Sequence, residues 1–414
     1  VWQELKKATL VCCVVLSACQ QQPVEPLPDP VIPSEISLPT GLELLHAHWD
    51  AVPGWGEADL RPAMAAFQRS CARLDNLDDE TLLNPRAEWA GRVGDWRAAC
   101  IAVSMTANTE LAMVATFEAV FAPVRVVATG PEDGVSEQTG MLTGYYEPFV
   151  EVRSRSTGDF SQPLRRRPDD LVNVDLGLFD QELAGRRIVG RVENGQLTRY
   201  RDRASIETDE LGEAFAWGRP IDVFFLQIQG SGRLVYEDGR QIRAAFAAHN
   251  GLPYRSIGRE LIRRGELELH EASKAGIESW LNENGPEATQ ELFAVNPRYV
   301  FFETQPLDQP ELGPSGSSGV ALTPMASLAI DPAYHAHGVP IWLSVNLPEA
   351  ENWTGLVIAQ DSGGAITGPL RGDFFWGWGE SAERRAGTTR AQAEWIVLLP
   401  SAVAARIVDP TPPA

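Results

Sequence analysis

"WTGLVIAQDSGGAITGPLRGDFFWGWG", residues 353–379, runs from a strand-like segment into a glycine turn and on to a second segment dense in aromatic rings. "GLVIAQD" (355–361) reads as a strand that enters the Gly363-Gly364 turn. The same texture surrounds it in "RYVFFE" (298–303), "VPIWLSV" (339–345) and "AEWIVLLP" (393–400). These runs are short and divided by Gly and Pro, without the strand-helix alternation of a doubly wound sheet. They predict a mainly β chain built from barrels.

Upstream the texture changes. Leu60, Met64, Phe67, Cys71 and Leu74 recur at three- and four-residue spacing, and Trp89, Val93, Trp96 and Cys100 repeat the pattern, so Ala58 to Phe121 is expected to be a helical N-terminal part. After Pro123 come "RVVATG" (125–130) and "GMLTGYYEP" (140–148), which read as strands. Residues 149–293 form a separate strand-rich unit, with hairpin signals at Asn194-Gly195 and Asp238-Gly239. Its longest apolar run, "IDVFFLQIQGSGRLVY" (221–236), leads into the second signal, and helices follow in "YRSIGRELIRRG" (254–265) and "SKAGIESWLNE" (273–283). The expected division is therefore one discontinuous domain, 41–148 with 294–414, interrupted by an insert at 149–293.

Composition narrows the partners. The 414 residues carry a net charge of −21, and no basic cluster is longer than Arg165, Arg166 and Arg167, which excludes nucleic-acid backbones as a natural ligand. Lys6 and Lys7, the apolar run Ala8 to Leu16 and "LSAC" ending at Cys19 are too short to span a bilayer and resemble a bacterial lipoprotein signal, residues 1–19. On that resemblance Cys19 is acylated, and Gln20 favours the outer membrane. The expected location is the periplasmic face of the outer membrane of a Gram-negative bacterium, with the Pro-rich residues 20–40 as a tether. A plain secretory peptide is the alternative. Only Cys71 and Cys100 then remain in the body; they are disulfide candidates in an oxidising compartment, the alternative being two buried thiols.

Several chemistries find little support. Gly377, Gly379 and Ala382 match G-x-G-x-x-A, but "SAERRAGTTRAQ" (381–392) shows no amphipathic helix to receive a pyrophosphate. There is no G-x-S-x-G elbow and no H-E-x-x-H, and His335 and His337 lack a third ligand, so they are expected to be ordinary loop residues and neither metal nor cofactor is expected. Asp373 is different. It precedes Phe374, Phe375 and Trp376, and a carboxyl partly desolvated by such rings would hold its proton near neutral pH and could donate it. For Asp361 the residues alone leave two roles open, a second catalytic carboxylate or an acceptor for backbone N–H groups at the turn.

Six segments together carry a family resemblance: "LTGYYEP" (142–148), "DVFFLQIQGSGRL" (222–234), "NGLPYRSIGREL" (250–261), "NPRYVFF" (296–302), "SGVALTPMASLAID" (318–331) and "AQDSGGAITGPLRGDFFWGWG" (359–379). In this order they resemble the MltA family of membrane-bound lytic murein transglycosylases. The last part resembles the three-aspartate domain through Asp331, Asp361 and Asp373. The resemblance implies a double-psi β-barrel, a second barrel-like insert and a glycan groove between them. It implies Asp373 as catalytic acid and Asp361 as its companion. Thr143, Tyr145, Tyr146, Gln229, Gly230, Ser231 and Asp331 fall in the segments that would bind substrate. Ala321 departs from the family pattern, where proline usually follows the valine, and bears only on local loop geometry.

The implied reaction is non-hydrolytic cleavage of the β-1,4 bond between N-acetylmuramic acid and N-acetylglucosamine, leaving a 1,6-anhydro end. Implied partners are peptidoglycan strands, the membrane through Cys19, and cell-wall synthase complexes. A two-carboxylate hydrolase and a non-catalytic wall-binding lipoprotein are the alternatives.

Overall fold

The structure, a computed structural model, describes residues 38–130, 136–347 and 350–407. The expected signal, Cys19 and most of the tether lie outside the described residues. Among the described residues no helix is long and apolar enough to cross a membrane.

Strand β1 (Leu42–His46) is followed by three helices, α1 (Arg61–Leu74), α2 (Val93–Met105) and α3 (Glu110–Val120), then by β2 (Phe121–Thr129), β3 (Ser136–Glu137) and β4 (Thr139–Glu147). The stripe expected on α1 is the face it buries: Met64, Phe67, Cys71 and Leu74 are all in the core, with Leu60 just before the helix. Phe67, Trp96, Phe117 and Phe121 make one ring cluster, Phe117 stacking on Phe121 at 5.2 Å. Burying each such side chain stabilises the fold by about 1.5–3 kcal/mol. Cys71 and Cys100 are joined in a disulfide with Cα atoms 5.6 Å apart, tying α1 to α2.

The chain then passes through β5 (Phe149–Arg153), β6 (Gln162–Arg165), β7 (Val172–Asp175), β8 (Arg187–Glu193), β9 (Gln196–Arg199), α4 (Arg203–Thr208), β10 (Ala214–Gly218), α5 (Pro220–Gln229), β11 (Gly232–Tyr236) and β12 (Gln241–His249). Both hairpin signals hold. Asn194 and Gly195 take positive φ between β8 and β9, and Gly239 does so between β11 and β12. The run 221–236 is not continuous strand: Pro220 and Asp222 open α5 and Gly230, at φ +86°, ends it before β11. After α6 (Ile257–Arg264) and α7 (Lys274–Ala294) comes β13 (Val300–Gln305), which pairs antiparallel with β12. The boundary expected at 293 therefore separates β13 from its sheet partner. Strands β5, β6 and β10–β13 make one six-stranded sheet in the order β13-β12-β11-β5-β10-β6, and its edges β13 and β6 come together to leave it nearly closed.

The remaining elements are β14 (Ser327–Ile330), β15 (Pro340–Leu347), β16 (Ala350–Ser362), β17 (Gly372–Trp378), α8 (Gly379–Thr388), β18 (Arg390–Pro400) and α9 (Ser401–Ala404). Hydrogen bonding runs β4-β17-β14-β16-β15-β18 and returns from β18 to β4, so these six strands close on themselves. The far half of β18 carries β2, and through it β1. The helix α8 corrects the reading of 381–392: Ala382 and Ala386 bury a narrow face on β4, while charged residues cover the rest, too small an apolar stripe to stand out in the sequence. Gly144 makes this contact possible, since a Cβ there would lie 2.6 Å from Trp376 Nε1 and 3.0 Å from Ala386 Cα.

Strands β7, β8 and β9 form a third, small sheet, and the two larger sheets are joined where β4 runs into β5. Glu147, at the end of β4, is fully buried and accepts from Arg233 Nε at 2.8 Å and Arg243 Nε at 2.5 Å. Arg233 lies over the Trp378 ring at 3.9 Å, and both arginines donate to the Leu312 carbonyl on the returning chain.

Candidate active site

Register assembles the site. On β17, Asp373 stands opposite Thr143 of β4 on one side and Ala329 of β14 on the other, and Ala329 stands opposite Asp361 of β16. Residues aligned across a sheet project to the same face, so Thr143, Asp373 and Asp361 share one side of the closed barrel. The two aspartates are two strand spacings apart, roughly 10 Å between backbones.

Asp373 Oδ1 accepts the Thr143 hydroxyl at 2.6 Å, and Thr143 Oγ1 accepts from Arg371 Nη2 at 2.8 Å. Because Arg371 only donates, the threonine proton is directed at Asp373. Burial pushes the Asp373 carboxyl up to about 6, against the opposing pull of the Thr143 bond and the Arg371 charge, with the Asp361 charge adding a smaller upward push. Strand alternation places Phe375, and neither Phe374 nor Trp376, on the face of Asp373. Phe375 packs on Tyr145 at 5.1 Å, while Trp376 turns away and donates to Thr389. Of the aromatic run, alternation thus leaves one ring, Phe375, on the face of Asp373.

Asp361 is held differently. Its Oδ1 accepts from the backbone of Ser317 and of Ser362, each at 2.9 Å, and its Oδ2 accepts the Tyr145 hydroxyl at 2.9 Å. Burial, then the Asp361 charge, pushes the Tyr145 phenol well up, so it remains a donor. Ser317 Oγ is 3.1 Å from His337 Nε2 and accepts from Ser362.

Two expected binding residues are elsewhere. Tyr146 alternates to the other face of β4, where it is buried against α8 and donates to Glu383 at 2.7 Å. Asp331 accepts from the backbone of Ala333 and Gly368 at 2.8 Å each, so its carboxylate braces two loops. Gln229, Gly230 and Ser231 form the turn from α5 into β11, with Gln229 Oε1 3.4 Å from the Tyr146 amide that donates to it. His335 lies in a loop, as expected, and is buried there, stacked on Trp395 at 5.3 Å and bonded to the Pro369 carbonyl. Arg371 and Ser317 were missed. Arg371, two residues before Asp373, could have been found as a donor that strand alternation places beside the acid; Ser317, 44 residues from Asp361, carried no local signal.

The fold is thus a closed barrel with a buried aspartate on its wall, interrupted by a second, nearly closed barrel. The model of the MltA specific insert domain matches residues 141–303, and that of the 3D domain matches 326–399. The chain belongs to the MltA family. It is 30% identical over 256 residues to membrane-bound lytic murein transglycosylase A of Escherichia coli K12; the match covers 59% of this chain and 62% of that protein, so it spans less than two thirds of the curated relative. Among solved structures, it is 28% identical to a membrane-bound lytic murein transglycosylase from Agrobacterium tumefaciens, with a TM-score of 0.74, covering 88% of this chain and all of that one. It is 32% identical to the lytic transglycosylase LtgG of Burkholderia pseudomallei, with a TM-score of 0.54 and coverage of 86% and 95%.

Proposed function

We propose that this chain is a peptidoglycan lytic transglycosylase in which Asp373 serves as the single acid/base. The observation that carries the reading is the asymmetry of the two aspartates: among the described residues three donors converge on Asp361, whereas Thr143 alone donates to the buried Asp373. Neutral Asp373 protonates the glycosidic oxygen as the bond to C1 of N-acetylmuramic acid breaks and positive charge develops there. The resulting carboxylate then takes the proton of the C6 hydroxyl as that oxygen bonds to C1, closing the 1,6-anhydro ring. The proton balance closes without water. The nucleophile belongs to the same sugar, so its effective concentration is high. Asp361, fixed by three donors, favours the developing cation, while Thr143 and Tyr145 position the two carboxyl groups.

The closed six-stranded barrel fits a double-psi topology, with β5–β13 as its insert, and the α5–β11 turn at Gln229 to Ser231 fits a second wall for the glycan. The names of the relatives support a membrane-associated site of action in a Gram-negative envelope. Acylation at Cys19, outer-membrane anchoring and contact with synthase complexes extend this reading.

The test is mass spectrometry of sacculi digested by wild type and by Asp373→Asn. The wild type should release 1,6-anhydro ends, and the variant should lose about 10²–10⁴ in rate. Anhydro release undiminished in the variant, or reducing-end muramic acid from the wild type, overturns the proposal.

A further inference from the structure

The second barrel has one stoppered end and one open end. Helix α5 follows β10 and packs Val223 and Leu226 into the barrel core. At the opposite end every strand of the six-stranded sheet delivers a residue to one cavity of about 380 Å³, a volume suited to a small ligand. Ser154 follows β5, Arg166 follows β6, Phe215 is the second residue of β10, Tyr236 closes β11, Ile242 is the second residue of β12 and Gln305 closes β13. This mouth is roughly 15 Å along the strands from the Glu147 junction.

Its chemistry runs against that of the chain. In a protein of net charge −21, none of the described side chains lining this cavity is a carboxylate, and two are arginines. Arg240 lies over the Tyr236 ring at 4.0 Å and Arg166 over Phe215 at 5.0 Å, so aromatic faces hold both guanidinium groups in place. Arg166 has the exposed Glu213 at 3.6 Å and Arg240 the exposed Asp238 at 4.0 Å. Such pairs are weak, and a guanidinium has five N–H groups, so both retain donors for a ligand. Ser154, Thr304 and Gln305 add neutral polar groups, and Phe215 and Ile242 add apolar surface.

The geometry points to an accessory site at the mouth of the second barrel that binds the terminal carboxylate of a short peptide, with a small apolar side chain against Phe215 and Ile242. The two arginines meet the carboxylate by charge-assisted hydrogen bonds. This rests on the reading of the substrate as peptidoglycan, whose glycan bears peptide branches ending in carboxylates. The site would hold a branch while the glycan lies between the Asp373 face of the first barrel and the α5–β11 turn.

Calorimetry of the whole protein with acetyl-alanyl-alanine, in the D and L forms, tests the site directly. Saturable binding is expected, weakened about tenfold by C-terminal amidation and by the double variant Arg166→Gln, Arg240→Gln, equivalent to about 1.4 kcal/mol. No saturable binding, equal binding of acid and amide, or an unaffected double variant overturns the proposal. Acetate binding as tightly as the dipeptide overturns the assignment to peptide. In turnover, the double variant should raise the ratio of KM for sacculi to KM for stem-free glycan about tenfold, and an unchanged ratio counts against the site. Calorimetry involves no turnover, so it decides the site even where the transglycosylase reading fails.

Discussion

The Thr143 hydroxyl on β4 donates to Asp373 Oδ1 on β17 at 2.6 Å, across a parallel strand pair in which the two residues are register partners. The bond stabilises the charged form of Asp373, and Arg371 fixes its direction. Thr143→Val keeps the shape and removes the donor. The expected outcome is a kcat lower by about 10- to 100-fold with little change in KM, because the acid loses its orientation. The pH at which activity is lost on the alkaline side should move upward. Arg371→Met should move it the same way, and kcat profiles across pH 5–9 check both; a downward shift in either variant contradicts the arrangement.

The carboxyl of Asp373 is pushed up to about 6 by burial, and on the proposed mechanism it should set the pH dependence of the wild type. The protonated form starts the reaction, so kcat should fall about tenfold per pH unit above 6. Stability follows the same group. Its folded value lies above the unfolded one of about 3.9, so the native state holds the proton more tightly, and this contribution is complete below pH 4 and lost as pH rises through 6. Asp373→Asn removes the charge and should stabilise the protein at pH 8 by about 3 kcal/mol, with little effect at pH 3.5. Urea unfolding at the two pH values measures the difference.

The Glu147 side chain is fully buried and shared by two arginines. Removing it strands Arg233 and Arg243 in a low-dielectric site. Glu147→Ala is therefore expected to cost about 3–5 kcal/mol in denaturant unfolding. A loss below 1 kcal/mol would mean that the arginines find water in the variant.

The disulfide closes a span of 29 residues between α1 and α2. Cys71→Ser should lower stability by about 3–4 kcal/mol on the loop-entropy account. Mild reduction of the wild type should give the same loss, and thermal unfolding with and without reductant compares them.

What was legible in the sequence followed local periodicity. The stripe of α1, the two glycine hairpins and the strands of the closed barrel are each written within a few residues of their own position. Helix α5 was hidden because it buries most of its surface and so lacks alternation, and α8 because two alanines suffice to seat it on Gly144. The site divides in the same way. Asp373 was visible from its aromatic neighbours, although alternation leaves only Phe375 on its face. Tyr145 and Tyr146, adjacent in the chain, take opposite faces of β4, one reaching Asp361 and the other Glu383. Only the register of β4 separates the two roles. Ser317 reaches Asp361 by tertiary placement of a loop, which no local pattern records.

The clamp at Glu147 has a mechanical consequence. The chain crosses between the barrels twice: once through Pro148 alone, between β4 and β5, and again through the segment whose Pro310 and Leu312 carbonyls accept from the clamped arginines. Both crossings are thus tied to one buried ion cluster. Any swing of one barrel against the other at these crossings has to strain the same buried Glu147 clamp.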